Sequence, residues 1–546
     1  MHGLMMDMPL LISSLIKHAD RFHGDTEIVS KRVEGDMHRY TYRAAHARAR
    51  RLARALARLG MAMHDRVATL AWNGYRHFEI YYAVAGSGAI IHTINPRLFP
   101  EQIAYIANHA EDRIVCFDLT FAPLVEKLAA QLQTVEHFVL MSDRAHMPEK
   151  SAIPNLVCYE ELLAAEDDGF EWPQFDERTA ACLCYTSGTT GNPKGSLYGH
   201  RSTILHAYGA ALPDVINLSA RDVVLPVVPM FHVNAWGLPY SCAATGTKLV
   251  FPGQHLDGRS LHELFEAERV TMSAGVPTVW LGLLTHMKEH KLRFSTLKRV
   301  VIGGSACPPA MMHAFQEDFG VQVMHAWGMT EMSPLGSVCT LKEKHLQMDR
   351  AAQTAVLMKQ GRPPYGVDMR MVDRDGRELP HDGKAFGDLQ VRGPWIIRGY
   401  FKGEGGDPLE KDARGEGWFP TGDVVTIDPD GYIQITDRSK DVIKSGGEWI
   451  SSIDLENIAV AHPAIAEAAV IGVAHPKWDE RPIVVAVKKP GRDISKTDLL
   501  KFYEGKIAKW WMPEDVVFVA ELPHTATGKL SKLTLRQQFK DYRLPS

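Results

Sequence analysis

The sequence predicts an α/β protein: a large N-terminal domain of stacked α/β layers, a β-rich, barrel-like subdomain, and a small α+β C-terminal domain. Three observations support this prediction: a length of 546 residues, alternating helix and strand patterns before about residue 365, and a change of pattern after it. Because single hydrophobic cores stop growing near ~250–300 residues, a chain of this length needs at least two domains.

The α/β prediction rests first on residues 44–96. AAHARARRLARALARLG has Leu52, Leu56 and Leu59 at helical spacing and Gly60 as a C-cap. RVATLAWNG then predicts a buried strand, and HFEIYYAVAGSGAIIHTINP predicts a helix followed by a strand. The arginines of the first helix could form an anion patch, but a solvated face is the better interpretation.

After about residue 365 the chain has a different pattern of apolar and turn-forming residues. MVDRDGREL and TIDPDGYIQIT place Asp-Gly turns between short alternating runs, which is typical of β-hairpins. Beyond the charged segment DRSKD, the runs PAIAEAAVIGVAH and PIVVAVKKP flank helix-like segments and indicate a small α+β module. We place the domain boundary near Asp437, which gives domains 1–437 and 438–546.

Composition excludes several classes of protein. A formal net charge of −4 gives no electrostatic case for nucleic acid binding. The seven cysteines are scattered, which predicts reduced thiols in a cytoplasmic protein, with Cys182 and Cys184 as strand packing. The sequence has no uninterrupted run of ~18 apolar residues, so we expect no transmembrane helix. A peripheral membrane contact stays open.

The stretch CYTSGTTGNPKG, Cys184–Gly195, contains the clearest chemical signal. It follows the strand-like run TAACLCY, and its glycines, hydroxyls and Lys194 suit the binding of nucleotide phosphates. It is not a Walker A motif, because Pro193 precedes Lys194 and Gly195 follows it. Composition alone leaves a flexible surface turn as an equal alternative.

YTSGTTGNPKG matches the signature of the adenylate-forming superfamily of acyl-CoA synthetases, adenylation domains and firefly-type luciferases. GGSACPP, AWGMTE, GWFPTGD, DRSKDVIKSGGEWIS and LPHTATGKLSK follow in the family's order, so the resemblance spans nearly the whole chain. It implies that a carboxylate attacks the α-phosphorus of Mg-ATP, giving an acyl-adenylate and pyrophosphate. The thiol of coenzyme A then displaces AMP.

The resemblance also implies roles for residues of the large domain. Thr186 and Glu331 match magnesium-linked residues, since Mg²⁺ prefers oxygen ligands. Asp423 matches the residue that holds the ribose hydroxyls, with Arg438 as a second ribose contact. The predicted nucleotide-binding residues are Thr186, Ser187, Gly188, Thr189, Thr190, Gly191, Lys194, Gly304, Ser305, His325, Ala326, Trp327, Gly328, Met329, Thr330, Asp423 and Arg438.

The predicted adenine site departs from the family's pattern. Trp327, which should lie against the adenine ring, replaces the commoner tyrosine, and Gly304 should let the base approach. His325 and Ala326 stand where relatives often have Gln and Gly. We expect these changes to tune the base pocket without removing nucleotide binding.

On the C-terminal domain, Lys529 in TGKLSK matches a lysine that swings into the site and neutralises the carboxylate and the α-phosphate. Lys440 matches the hinge about which a mobile domain exchanges its adenylation face for its thioester-forming face. The residues expected near the nucleotide and the coenzyme A channel are Lys444, Ser445, Gly446, Gly447 and Trp449.

The segment VVPMFHVNAWGLPY, Val227–Tyr240, bears on the substrate. His232, a candidate catalytic residue, stands where amino-acid-activating domains have an aspartate, which argues for a simple carboxylic acid. Trp236 matches a tryptophan that gates the acyl tunnel of fatty acyl-CoA synthetases. The predicted substrate-binding residues are Val233, Trp236, Gly303 and Gly304.

The predicted tunnel walls, GVPTVWLGLL and SACPP, are apolar and suit an alkyl tail, which gains roughly 0.8 kcal/mol per buried CH₂. The chain is most similar to bacterial medium-chain fatty acid CoA ligases, so a medium-chain acid is the first prediction. The alternatives are a short or thioether acid such as 3-methylthiopropionate, or a longer fatty acid. The resemblance further implies a homodimer formed through the large domain.

Other functions are less well supported by the motifs. A nonribosomal adenylation module would need the amine-binding aspartate, and a non-catalytic nucleotide-binding protein would require a damaged motif. Luciferase-type oxygenation shares the adenylation step, and the motifs do not distinguish it.

Overall fold

The computed structural model describes residue 1 and residues 3–186, 192–445, 448–524 and 530–544, with residues 448 and 449 described by backbone only. Some predicted site residues lie outside the described ones: Ser187, Gly188, Thr189, Thr190, Gly191, Gly446, Gly447 and Lys529. The chain forms two compact units. The first comprises Met1–Thr186, Pro193–Asp368 and Arg392–Pro408, and the second Ser187–Asn192, Met369–Val391 and Leu409–Ser546.

The first unit is built from alternating strands and helices. Its strands are β1 (Glu27–Lys31), β2 (Met37–Thr41), β3 (Arg66–Leu70), β4 (Ile90–Thr93), β5 (Asp112–Phe117), β6 (His137–Leu140), β7 (Leu156–Cys158), β8 (Ala180–Tyr185), β9 (Gly195–Gly199), β10 (Val223–Pro226), β11 (Lys248–Phe251), β12 (Met272–Gly275), β13 (Arg299–Ile302), β14 (Gln322–Gly328) and β15 (Leu335–Val338).

The helices of this unit lie mainly between its strands. They are α1 (Ile12–His23), α2 (Tyr42–Arg58), α3 (Tyr75–Gly86), α4 (Pro100–Ala110), α5 (Ala122–Leu128), α6 (Tyr159–Ala164), α7 (His200–Ala211), α8 (Val233–Trp236, a left-handed turn), α9 (Leu238–Thr245), α10 (Gly258–Glu268), α11 (Pro277–Glu289), α12 (Pro309–His313), α13 (Glu343–Leu346) and α14 (Arg350–Leu357).

Two sheets organise the first unit. One has the order β7-β6-β5-β3-β4-β8-β9 and is parallel except for the β8–β9 pair. The other has the order β15-β14-β13-β12-β10-β11-β1-β2, with parallel pairs from β14 to β1 and antiparallel edges. Many of the strands are buried along their whole length, as expected for parallel sheets covered on both faces. The α/β prediction is confirmed.

The second unit is richer in antiparallel structure. Its strands are β16 (Asp368–Val372), β17 (Phe386–Arg392), β18 (Glu410–Lys411), β19 (Gly417–Ile427), β20 (Ile433–Arg438), β21 (Ile443–Ser445), β22 (Glu448–Ile450), β23 (Ile465–His475), β24 (Asp479–Lys488) and β25 (Asp515–Phe518). Its helices are α15 (Ser452–Ala461), α16 (Lys496–Tyr503) and α17 (Lys532–Gln538).

These strands form two sheets. One has the order β16-β17-β19-β18 with β20 on β19, and the β19–β20 pair confirms the predicted Asp-Gly hairpin. The other has the order β22-β21-β24-β23, with β25 parallel to β24. Apolar clusters that include Ile465 and Ile471 cover both faces of the second sheet and form the core of an α+β module. The predicted boundary near Asp437 stays a prediction.

Two further expectations concern the whole chain. All seven cysteines are buried and outside disulfides, in agreement with the predicted reduced thiols. Within the described part of the chain, no helix combines the length and the apolar character needed to cross a membrane.

Candidate active site

The predicted phosphate loop connects β8 and β9, which are adjacent antiparallel strands, so it is the loop of a β-hairpin. Tyr185 pairs with Gly195 at the ends of these strands. The Thr186 N–H donates to the Lys194 carbonyl at 2.9 Å, and the Lys194 N–H donates to Thr186 Oγ1 at 3.1 Å. These bonds close the base of the loop and bring Thr186 beside Lys194.

Further predicted residues follow the carboxyl ends of β13 and β14, where open α/β sheets bind their ligands. A Cβ on Gly303 would lie 3.1 Å from the Ala326 carbonyl oxygen and 3.1 Å from Trp236 Cη2, so the Trp236 indole rests on the Gly303 backbone. Gly304 has φ +80, a conformation that favours glycine. Ser305 is exposed.

His325 lies beneath this segment. Its Nε2 accepts a hydrogen bond from the Cys307 N–H at 3.2 Å, so its Nδ1 carries the proton and donates to the Met358 carbonyl at 3.0 Å. Burial lowers the pKa of His325 to about 4, so the ring is neutral. The ring therefore joins the GGSACPP segment, at Cys307, to the Met358 backbone. A nucleotide contact from the backbone of His325 stays a prediction.

The predicted adenine segment is held by close backbone packing. The buried Trp327 ring covers Gly336, where a Cβ would lie 2.5 Å from Trp327 Cε3. Gly328 approaches Pro334 so closely that a Cβ would lie 1.9 Å from the Pro334 oxygen, and the Met329 N–H donates to the same oxygen at 3.2 Å. Ala326 is half-buried. The adenine contact of this segment remains a prediction.

Tyr400 is a site residue that the sequence analysis missed. Its hydroxyl donates to Glu331 Oε1 at 2.9 Å, and the Lys194 ammonium lies 5.0 Å from the centre of its ring. Burial and the charge of Glu331 raise the pKa of Tyr400 above its usual range, so the phenol stays protonated. Thr330, the neighbour of Glu331, accepts a hydrogen bond from the Tyr198 hydroxyl. Tyr400 therefore links Glu331 to Lys194, which is itself hydrogen-bonded to Thr186.

The segment after His232 has an uncommon backbone. Val233, Asn234, Ala235 and Trp236 have φ values of 46, 53, 50 and 56, which places four consecutive non-glycine residues in the left-handed region. Each such residue costs roughly 1–2 kcal/mol, so surrounding contacts must hold the turn. His232 and Trp236 are half-buried at its two ends, whereas the residues between them are buried.

In the second unit, Asp423 and Arg438 lie opposite each other on β19 and β20. Arg438 Nε is 3.0 Å from Asp423 Oδ1, and the Asp423 side chain is buried whereas that of Arg438 is half exposed. The Asp423 N–H donates to Thr421 Oγ1 at 3.1 Å. The two predicted ribose-binding residues are thus brought together as an ion pair. Their contact with ribose stays a prediction.

The predicted hinge and coenzyme A residues follow in the same unit. Lys440 and Lys444 are exposed, and Ser445 Oγ accepts a hydrogen bond from Arg481 Nη1 at 3.1 Å. Trp449 pairs with Lys444 across β21 and β22. The roles of these residues stay predictions.

Helix α17, which begins three residues after Lys529, is anchored to α15. The Lys532 ammonium lies 2.7 Å from Glu456 Oε1 and donates to Ser452 Oγ at 2.5 Å. Asp437, on β20, accepts a hydrogen bond from the Ser452 N–H at 2.6 Å. Strand β20, which precedes the predicted hinge, is therefore connected to α15 and α17 through Ser452. No local sequence pattern predicts this connection.

Comparison with known proteins identifies the family. The model of the AMP-binding enzyme family matches residues 15–401, and that of the AMP-binding enzyme C-terminal domain matches residues 454–529. A 3-methylmercaptopropionyl-CoA ligase of Ruegeria lacuscaerulensis is 56% identical over 99% of both chains. A medium-chain-fatty-acid–CoA ligase of Ectopseudomonas oleovorans is 49% identical over 100% of this chain and 99% of its own.

A solved structure of another CoA ligase has the same fold. An anthranilate CoA ligase in complex with anthranoyl-AMP superposes with a TM-score of 0.82 over 98% of each chain, at 23% identity, which shows the fold alone. The resemblance drawn from the motifs is confirmed. The chain belongs to the AMP-binding enzyme family of adenylate-forming acyl-CoA ligases.

Proposed function

We propose that this chain is an ATP-dependent acid–CoA ligase whose preferred acid is 3-methylthiopropionate or a close short-chain analogue. The observation that carries the proposal is the greater identity to the 3-methylmercaptopropionyl-CoA ligase than to the medium-chain ligase. The sequence analysis placed a medium-chain acid first and the thioether acid as an alternative. The relatives support the alternative better.

The structure gives a physical argument for a short acid. The fully buried Trp280 belongs to the predicted tunnel wall, and a Cβ on Gly275 would lie 3.0 Å from its Cζ2. We infer that this indole limits the depth available to an alkyl tail behind Gly275. The half-buried Trp236 offers aromatic surface, and thioether sulfurs make favourable contacts with aromatic rings.

In the first half-reaction, an oxygen of the acid attacks the α-phosphorus of ATP, the bond to the β-phosphate oxygen breaks, and pyrophosphate leaves. Lys194 and the loop hydroxyls bind the polyphosphate, and we assign Lys529 to neutralise the carboxylate and the α-phosphate. Thr186 and Glu331 supply hard oxygen donors that fit Mg²⁺. Bound there, Mg²⁺ would neutralise charge on the phosphate oxygens.

In the second half-reaction, the thiol of coenzyme A attacks the acyl carbon, the bond to the AMP oxygen breaks, and the thiol proton passes to solvent. We assign the change between the two half-reactions to rotation about Lys440. His232 stays a candidate beside the reacting carboxylate. Its half-buried position at the start of the left-handed turn supports that assignment.

The test is AMP release with coenzyme A across a panel of acids. We expect the highest kcat/KM for 3-methylthiopropionate and a lower value for pentanoate, its isostere without sulfur. Octanoate and decanoate should be poorer substrates. A steady rise of kcat/KM from C4 to C10 would contradict the proposal and support a medium-chain ligase.

A further inference from the structure

The Asn234 side chain connects the left-handed turn to the strand that leads into the phosphate loop. Its Oδ1 accepts hydrogen bonds from the thiols of Cys182, at 3.2 Å, and Cys184, at 3.6 Å. Both cysteines are on β8, two residues apart and therefore on one face of the strand, with their sulfurs 3.7 Å apart. Asn234 is 3% exposed, so water does not compete for these bonds.

The turn needs such an anchor. Asn234 is the member of the turn whose residue type best tolerates the left-handed region, whereas Val233, with φ 46, is β-branched and does not. The chain leaves the turn through Gly237, against which the His206 ring packs so closely that a Cβ would lie 2.7 Å from its Cε1. The turn is thus held by the packing of His206 against Gly237 and by the hydrogen bonds of the Asn234 side chain.

The anchor lies between the turn that carries Trp236 and the strand that leads to the phosphate loop. At one end the turn carries Trp236, whose indole rests on Gly303, and β8 ends at Tyr185, the residue before Thr186. We propose that Asn234 is a positioning residue. Its hydrogen bonds to Cys182 and Cys184 keep the turn left-handed and so place Trp236 for selection of the acid. This inference rests on the proposed function.

The decisive variant is Asn234→Gly, because glycine adopts the left-handed region freely and the change removes the side-chain amide whose Oδ1 accepts from both thiols and, at 3.4 Å, from the Tyr81 hydroxyl. A second variant, Cys182→Ala/Cys184→Ala, removes the two thiol donors and leaves Asn234 and Tyr81 in place. Cys116→Ala is the matched control, since Cys116 is an equally buried strand cysteine of the same sheet. Acid-dependent pyrophosphate release is measured for each variant, with KM determined separately for the acid and for ATP.

We expect both anchor variants to raise KM for the acid roughly tenfold and to flatten the preference among acids, with KM for ATP within about twofold of wild type. Combining them should give no further rise, and Cys116→Ala should behave as wild type. The inference is overturned if Asn234→Gly leaves KM for the acid unchanged, or raises KM for ATP equally.

Failure of the proposed function can be distinguished from failure of the inference about Asn234. A wild-type enzyme that releases no pyrophosphate with any acid contradicts that function, and the anchor is then tested by unfolding. Free energies of unfolding that are not additive for Asn234→Gly and the cysteine changes support the anchor, and additive values overturn it.

Discussion

The Tyr400 hydroxyl donates a hydrogen bond to Glu331 Oε1 at 2.9 Å, while the Lys194 ammonium lies over the same ring, 5.0 Å from its centre. One side chain therefore contacts both the cation of the phosphate loop and the carboxylate proposed to hold Mg²⁺. A hydrogen bond to a charged group is stronger than one between neutral groups. A cation–π contact attracts a lysine ammonium to the face of an aromatic ring. Tyr400 thus links two parts of the candidate site.

Tyr400→Phe should separate these two contacts. The change removes the hydrogen bond to Glu331 and keeps the ring beside Lys194. We expect kcat/KM for MgATP to fall roughly tenfold and the Mg²⁺ concentration for half-maximal activity to rise.

Tyr400→Leu, which also removes the ring, should in addition raise KM for ATP. Tyr365→Phe is the control, because Tyr365 is 93% exposed. Unchanged Mg²⁺ dependence in Tyr400→Phe would show that the hydrogen bond does not position Glu331.

Gly303→Ala should disturb the acyl site. The added Cβ would lie 3.1 Å from Trp236 Cη2 and from the Ala326 carbonyl oxygen, so the indole must shift. We expect KM for the acid to rise roughly tenfold, with a larger effect for bulkier acids. Gly74→Ala, where a Cβ meets nothing within 4 Å and the backbone is extended, should leave KM unchanged. Equal effects of the two substitutions would contradict the predicted role of Gly303.

The Asp222–Arg299 ion pair predicts a pH dependence of stability. Arg299 donates to both Asp222 oxygens, at 2.8 and 3.0 Å, and both side chains are about nine-tenths buried. Burial alone would raise the pKa of Asp222, but the Arg299 hydrogen bonds and charge outweigh burial and hold that pKa below its usual range. The stabilisation is therefore fully present above the unfolded-state pKa of about 3.9 and is lost as the pH falls through the lower folded-state value.

Asp222→Asn should reduce the free energy of unfolding by roughly 3 kcal/mol at pH 7. The difference from wild type should shrink as the pH falls below about 4. Denaturant titrations at several pH values measure both quantities. Glu263→Gln, which breaks an exposed pair with Arg259, is the control and should change little. A difference that stays constant down to pH 2 would contradict this account.

Local patterns predicted much of the fold, and motifs named the candidate site residues, whose roles stay predictions. The run TAACLCY forms β8, and the helix predicted from Leu52 and Leu56 is α2. These features depend on periodicity and on motifs within a few residues. The proposed substrate preference had no such signal, because we attribute it to the packing of indoles from separate segments.

Long-range pairs could not be predicted. Tyr400 and Glu331 are 69 residues apart in sequence, and Asn234 and Cys182 are 52 apart. The solvated face predicted for the α2 arginines is wrong for Arg48, which pairs with the fully buried Glu79 carboxylate at 2.7 Å. An arginine on a helix surface carries no local sign of a partner on another element.

Lys529→Ala should separate the two half-reactions. Loss of this charge should abolish acid-dependent exchange of pyrophosphate into ATP, whereas thioester formation from supplied acyl-adenylate should survive. Lys540→Ala, an exposed lysine of the same domain, is the control. Equal loss of both half-reactions would contradict the role assigned to Lys529.

The central claim is that the chain joins an organic acid to AMP before transferring it to a thiol. The most direct measurement is mass spectrometry of the products formed from Mg-ATP and 3-methylthiopropionate, before and after coenzyme A is added. We predict the acyl-adenylate and pyrophosphate in the first sample, and the acyl-CoA and AMP in the second. If no acyl-adenylate forms with this acid or with any other acid of the panel, the account is contradicted.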